Sequence, residues 1–181
     1  MTAMKQPAQV TRLHDGPVFS VDRMIFDHTD GPVVKDVVRH PGAVTVVARE
    51  DDGRLVMIRN HRVAVGRPLL EFCAGKLEPG EAPALSAVRE LEEETGRSAA
   101  SITPLGRFYT SPGFADELMH VFLAEGLAPV ARRLEAGEEI EVVVMDVEEL
   151  REIVRRGELE DGKSLAAFHL FLEQLRSGDA P

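Results

Sequence analysis

The chain has 181 residues, enough for one domain with a sizeable core and a small appendage. A 44% hydrophobic and 29% charged composition is that of a soluble globular protein, and a formal charge of -10 argues against broad binding to nucleic-acid backbones. Cys73 is the single cysteine, so no disulfide can form within the chain; no apolar signal-peptide core or membrane-length apolar run occurs, and a cytoplasmic location is expected.

In chain order, residues 1 to about 9 read as a mobile leader. Thr11 to His40 reads as a small β-rich segment, with strand-type residues from Val18 to Phe26, a turn at Thr29-Asp30-Gly31-Pro32 and a returning strand over Val33–Arg39. A hairpin this small is marginal alone, so it is expected to pack on the main domain or on a second copy. His40-Pro41-Gly42 marks a boundary, dividing an N-terminal β segment, 1–40, from a main domain, 41–181. Ala43–Arg49 and Leu55–Arg59 read as strands around an Asp51-Asp52-Gly53 turn, followed by a short strand over Leu69–Phe72. Gly75, Pro79 and Gly80 predict a turn-like segment, Pro83 to Thr95 a helix, and Gly96 its stop. Leu105–Tyr109, Met119–Ala124 and Glu141–Met145 complete the predicted strands. Asp146 with Glu149 suggests a capping box opening a helix to about Arg156, and Lys163–Leu175 a last helix burying Leu165, Phe168, Leu172 and Leu175. This order predicts α/β or α+β.

Within the mid-chain helix, Ala84, Ala87, Val88, Leu91 and Thr95 fall on one side, while Glu90, Glu93 and Glu94 gather on another at i, i+3 and i+4. Like charges at that spacing repel by about 0.2–0.5 kcal/mol per exposed pair. The face is either simply solvated or built for a hard divalent cation such as Mg²⁺, with Mn²⁺ as the alternative. The whole stretch runs Gly75, five residues, Glu81, seven residues, Arg89-Glu90-Leu91, one residue, Glu93-Glu94, one residue, Gly96. It resembles the Nudix box, the loop–helix–loop signature of hydrolases that cut nucleoside diphosphates linked to another group. Arg97 stands where that pattern has a bulky apolar residue. The resemblance covers about residues 39 to 175 and implies an α/β/α sandwich with a mixed sheet.

Three features outside the box resemble the ADP-ribose pyrophosphatase branch of the family. Leu69 to Glu81 reads like its Glu-Phe-Pro-Ala-Gly approach, with Cys73 in place of proline; the resemblance implies that the Ala74 carbonyl is a metal ligand. Pro112, in Thr110-Ser111-Pro112-Gly113, lies fifteen residues past Arg97, about where that branch carries a proline. An acidic loop, Glu135, Glu138, Glu139 and Glu141, precedes the Glu141–Met145 strand; the resemblance implies a general base or metal ligand here, with Glu138 aligning best and Glu139 second. It further implies metal ligation by Glu90, Glu94 and Glu93, an ion pair from Arg89 holding Glu93 or a neighbour, and phosphate contact by Arg62. Glu71, Arg39, Pro112 and Gly113 are further substrate-contact candidates. With no Trp in the chain, Phe19 or Phe26 could supply a face for adenine, reaching across a dimer. The expected activity is hydrolysis of ADP-ribose to AMP and ribose 5-phosphate by a homodimer, with another nucleoside diphosphate sugar (a GDP- or UDP-sugar) as the alternative substrate and a non-catalytic nucleotide-binding sensor as the alternative outside the enzymes.

Overall fold

The computed structural model describes residues 6–134 and 137–178; residues 1–5 of the expected leader, and Glu135, lie outside these. Two compact units form. One comprises the chain up to Gly42 with Tyr109–Leu118; the other comprises Ala43–Phe108 and the chain from Met119 onward.

The first unit is a three-stranded antiparallel meander, β1 (Gln9–Asp15), β2 (Ser20–Phe26) and β3 (Val33–Arg39), in which β2 and β3 form the expected hairpin and β1 adds a third strand. β1 falls partly where a leader was expected, and pairing already starts at Ala8, whose amide donates to the Ile25 carbonyl at 2.7 Å. No residue of β1 is buried, so it has no apolar alternation to read. Main-chain pairing to β2 and the Arg12–Asp22 ion pair at 2.5 Å hold it instead. Ser111 to Asp116 joins this unit through Val38, whose amide donates to the Phe114 carbonyl and whose carbonyl accepts from the Asp116 amide.

The second unit is a mixed sheet between helices. Its strands are β4 (Ala43–Arg49), β5 (Leu55–Arg62), β6 (Arg67–Glu71), β7 (Cys73–Lys76), β8 (Arg97–Tyr109), β9 (Leu118–Pro129) and β10 (Ile140–Met145). The order is β10-β5-β4-β9-β8, with β6 paired to β5 and β7 to β4; β4 and β9 run parallel. The period of two in β4 and β5 sorts their side chains to opposite faces. Val47, Leu55 and Met57 pack with Phe72, Leu150, Leu159, Phe168 and Phe171, beneath the helices α2 (Val147–Arg155) and α3 (Gly162–Ser177). Val44, Val46, Ala48, Val56 and Ile58 pack with Ala87 and Leu91 of the mid-chain helix on the other face. The architecture is therefore an α/β/α sandwich.

Several local expectations change. β7 is a strand where Gly75 suggested a turn, because its backbone pairs with β4 from Ala43↔Lys76 to Val46↔Cys73. β8 begins at Arg97, well before its predicted start at Leu105, and β9 runs to Pro129, past its predicted end at Ala124. Asp146 caps α2 without a side-chain hydrogen bond, so no capping box forms; Asp161 caps α3 instead, accepting from the Ser164 amide at 2.9 Å. α3 buries Ser164, Ala167, Phe168 and Phe171, whereas Leu165 and Leu175 are exposed.

Candidate active site

The mid-chain helix is α1 (Pro83–Glu90), continued by a π-helical turn over Leu91–Thr95 and ended by Gly96 at φ 67°. Glu94 turns inward beside Ala87 and Leu91 and is 3% exposed, while Ala84, expected on the packed side, is exposed. Four carbonyls at a helix C-terminus lack helical partners. Here Leu91 O accepts from the Thr95 hydroxyl at 2.6 Å, Glu92 O from the Gly96 amide at 3.0 Å, Glu93 O from the Arg133 amide at 3.2 Å and Glu94 O from Arg132 Nε at 2.7 Å.

β7 runs beside this helix and meets two of its carboxylates. The Ala74 amide donates to Glu94 Oε2 at 2.9 Å. The Glu90 carboxylate lies over Gly75: a Cβ built there would come within 1.9 Å of Glu90 Cδ and Oε1. Glycine is required here for close approach, not for its backbone angles. Arg89 threads the set together. It donates to Glu81 at 2.9 and 3.0 Å, to Glu90 at 2.6 Å and to Glu93 at 3.2 Å, and also reaches Ser86 Oγ and the Lys76 carbonyl. Hydrogen bonds from Arg89 hold the Glu81 carboxyl down at about 2, and those same bonds, Glu81 first, raise the Arg89 guanidinium.

Glu94 goes the other way. Burial pushes its carboxyl up to about 8; the Ala74 amide opposes this, Glu90 and Glu138 add to it, and Arg62 offsets part. Glu138 of the acidic loop therefore acts on the same carboxyl as Glu90. Glu139 is exposed, and its carbonyl accepts from the His61 amide at 3.3 Å.

Next to this set, Arg62 grips Glu71 through two bonds of 2.8 and 2.5 Å, and Lys163 binds the same carboxylate. Glu71 is fully buried, and Lys163 also pairs with Asp161 at 2.9 Å. The Phe72 amide donates to Ser164 Oγ at 2.9 Å, so the start of α3 is pinned to the strand that leads into the box. Lys163 and Arg132 were not singled out from the sequence: each acts through one long-range contact and carries no local signature. Arg97, at the apolar position of the box pattern, pairs instead with Glu50 at 3.1 Å.

Phe19, Arg39, Pro112 and Gly113 all belong to the first unit. Arg39 bonds Asp22 at 3.1 Å and Asp116 at 2.8 Å, and half-exposed Phe19 lies against His14 with ring centroids 5.7 Å apart. Arg62, Glu71, Ala74, the box residues, Glu138 and Glu139 belong to the second.

The donor chemistry around Ala74 and Gly75 fits a hard divalent cation. It consists of carboxylate oxygens, with one carboxyl held protonated near neutrality by burial and by two like charges, the strain a cation relieves. Glu90 and Glu93 pair with Arg89, and Glu94 accepts from the Ala74 amide; among the described residues no three acidic, His or Cys side chains are gathered in coordinating geometry.

Comparisons agree with this architecture. The NUDIX domain pattern matches residues 39–168. An ADP-ribose pyrophosphatase of Bacillus subtilis (strain 168) is 45% identical over 135 residues, 74% of this chain and 73% of that protein. A GDP-mannose pyrophosphatase of Enterobacter sp. (strain 638) is 34% identical over 149 residues, 72% of this chain and 76% of that one. A crystal structure of an ADP compounds hydrolase shares the fold, with a TM-score of 0.83 over 99% of each chain at 23% identity. With the box on its loop and helix and the sandwich around it, the chain belongs to the NUDIX domain family and is a Nudix hydrolase.

Proposed function

We propose that the protein hydrolyses ADP-ribose to AMP and ribose 5-phosphate, using Mg²⁺ or, failing that, Mn²⁺. The observation that carries this reading is the gathering of Glu90, Glu93 and buried Glu94 around Ala74 and Gly75, with Arg89 bridging Glu90 and Glu93. The relative from Bacillus subtilis supports the choice of ADP-ribose. In the reaction the oxygen of a water forms a bond to one phosphorus, the bridging P–O bond breaks, and the proton leaves the water.

Glu90, Glu94, Glu93 and the Ala74 carbonyl would hold the cation. When bound, it would neutralise the diphosphate and lower the pKa of the attacking water. Glu138 would accept the proton, with Glu139 as the alternative. Arg89 would keep Glu90 and Glu93 aimed by its ion pairs, and Glu81 would keep Arg89 in place. Arg62 would present its planar fork to phosphate oxygens, backed by Glu71. Arg39, Pro112 and Gly113 would contact substrate and Phe19 would face the adenine, in a cytoplasmic homodimer.

A second reading, a pyrophosphatase for another nucleoside diphosphate sugar, is favoured by the GDP-mannose pyrophosphatase relative. The test is phosphate release, coupled to a phosphatase that ignores intact diphosphates, across ADP-ribose, GDP-mannose, UDP-glucose and NADH. Preference for ADP-ribose that chelator abolishes supports the proposal. Preference for GDP-mannose or UDP-glucose selects the second reading, and no turnover with either metal overturns both.

A further inference from the structure

The segment between β9 and β10 bears the acidic loop, and its attachment is unusual. Residues 130–133 lie along the C-terminal end of the box helix. The Val130 amide donates to Gly96 O at 3.0 Å and the Arg133 amide to Glu93 O at 3.2 Å. Between them Arg132 makes two bonds in different directions. Its Nε donates to Glu94 O, and its Nη2 to Ile140 O, both at 2.7 Å. Ile140 opens β10, which pairs with β5 at Ile140↔Asn60. One guanidinium thus ties the residue just after Glu138 and Glu139 to the residue carrying the buried box carboxylate. The approach is close: a Cβ at Gly96 would meet Val130 O at 3.2 Å and Arg132 Cβ at 3.4 Å.

We propose that Arg132 is a positioning residue that clasps the Glu138 loop to the end of the box helix and so holds the proposed base facing Glu94. This rests on the assignment of Glu138 made above. Arginine suits the task because its fork offers several donors in fixed directions, whereas a lysine ammonium is a point charge on a flexible stem. A cation at a helix C-terminus is also favoured by the helix dipole. The contribution to catalysis is geometric: a displacement of about 1 Å in a reacting group costs on the order of 100-fold in rate.

The test compares Arg132→Gln, Arg132→Lys, Glu138→Gln and the double variant Arg132→Gln/Glu138→Gln, using whichever sugar nucleotide the protein turns over fastest. Turnover and KM are measured alongside amide hydrogen exchange over residues 137–141. Arg132→Gln should lower kcat about 10- to 100-fold, leave KM within about threefold and speed exchange over that span. Arg132→Lys should fall between it and the wild type. Because Arg132 acts through Glu138, the double variant should be no slower than Glu138→Gln alone. Unchanged kcat or exchange in Arg132→Gln, or losses that multiply in the double variant, would overturn the clasp. Full activity in Glu138→Gln would sink the assignment of the base and this proposal with it. That result is distinct from failure of the clasp alone, where Glu138→Gln is slow and Arg132→Gln is not.

Discussion

Glu94 carries a stability cost that should be measurable without any substrate. Its carboxyl sits near 8 in the folded, metal-free chain, against an ordinary value of 4.5, first because it is buried and then because Glu90 and Glu138 lie near. Between those values the folded state retains a proton that the unfolded state has released, so unfolding free energy falls as pH rises. Below pH ~4.5 both states are protonated and the effect vanishes; above pH ~8 it is complete. Each pH unit inside the window is worth at most about 1.4 kcal/mol, and local opening toward water reduces the sum to ~2–5 kcal/mol. Glu94→Gln keeps an acceptor for the Ala74 amide and removes the titration. Urea unfolding with chelator, followed by far-ultraviolet circular dichroism because the chain has no Trp, should give a variant that gains on the wild type as pH climbs from 5 to 8.5. Added Mg²⁺ should restore the wild type at pH 8.5 and leave the variant unmoved. Parallel pH profiles for the two proteins would refute the argument.

Three further outcomes are expected. Gly75→Ala should cut turnover by about 100-fold while shifting stability by no more than about 1 kcal/mol, because the group displaced is the far end of Glu90; equal turnover would show that Glu90 need not lie over β7. Lys163→Met should cost ~2–4 kcal/mol in urea unfolding, since it takes one of two cations from a fully buried carboxylate, and an unchanged midpoint would show that Arg62 alone suffices. Cys73 is fully buried, and burial raises its thiol well above the ordinary value, so an aromatic disulfide reagent should label it at the rate of unfolding; fast labelling of the native protein would contradict that burial.

The box was legible in the sequence because covalent spacing alone places Arg89, Glu90, Glu93 and Glu94 on consecutive turns of one helix. The inward turn of Glu94 was not, since its partner is the main-chain amide of Ala74 on β7, which carries no side-chain signal in the sequence. The buried strands β4 and β5 announced themselves through continuous apolar runs, whereas β1 and β7 are held by main-chain pairing and have little side-chain pattern. In α3 the stripe followed the leucines, but the buried side is set by Phe168, Phe171 and Ala167 and by Ser164, whose hydroxyl anchors Phe72. Arg132 and Lys163 illustrate a general gap: a lone cation's partner, distant in sequence, becomes visible only once the chain is folded.

The central claim is that the carboxylates beside Ala74 and Gly75 exist for metal-assisted chemistry and not for folding. It is tested most directly by Glu90→Gln, measuring Mg²⁺-dependent turnover of ADP-ribose and metal-free thermal unfolding on the same preparation. A fall in kcat of at least about 100-fold, with a Tm equal to or above that of the wild type because a repelling charge is gone, is the result expected. A variant that unfolds easily yet keeps its specific activity would contradict the account.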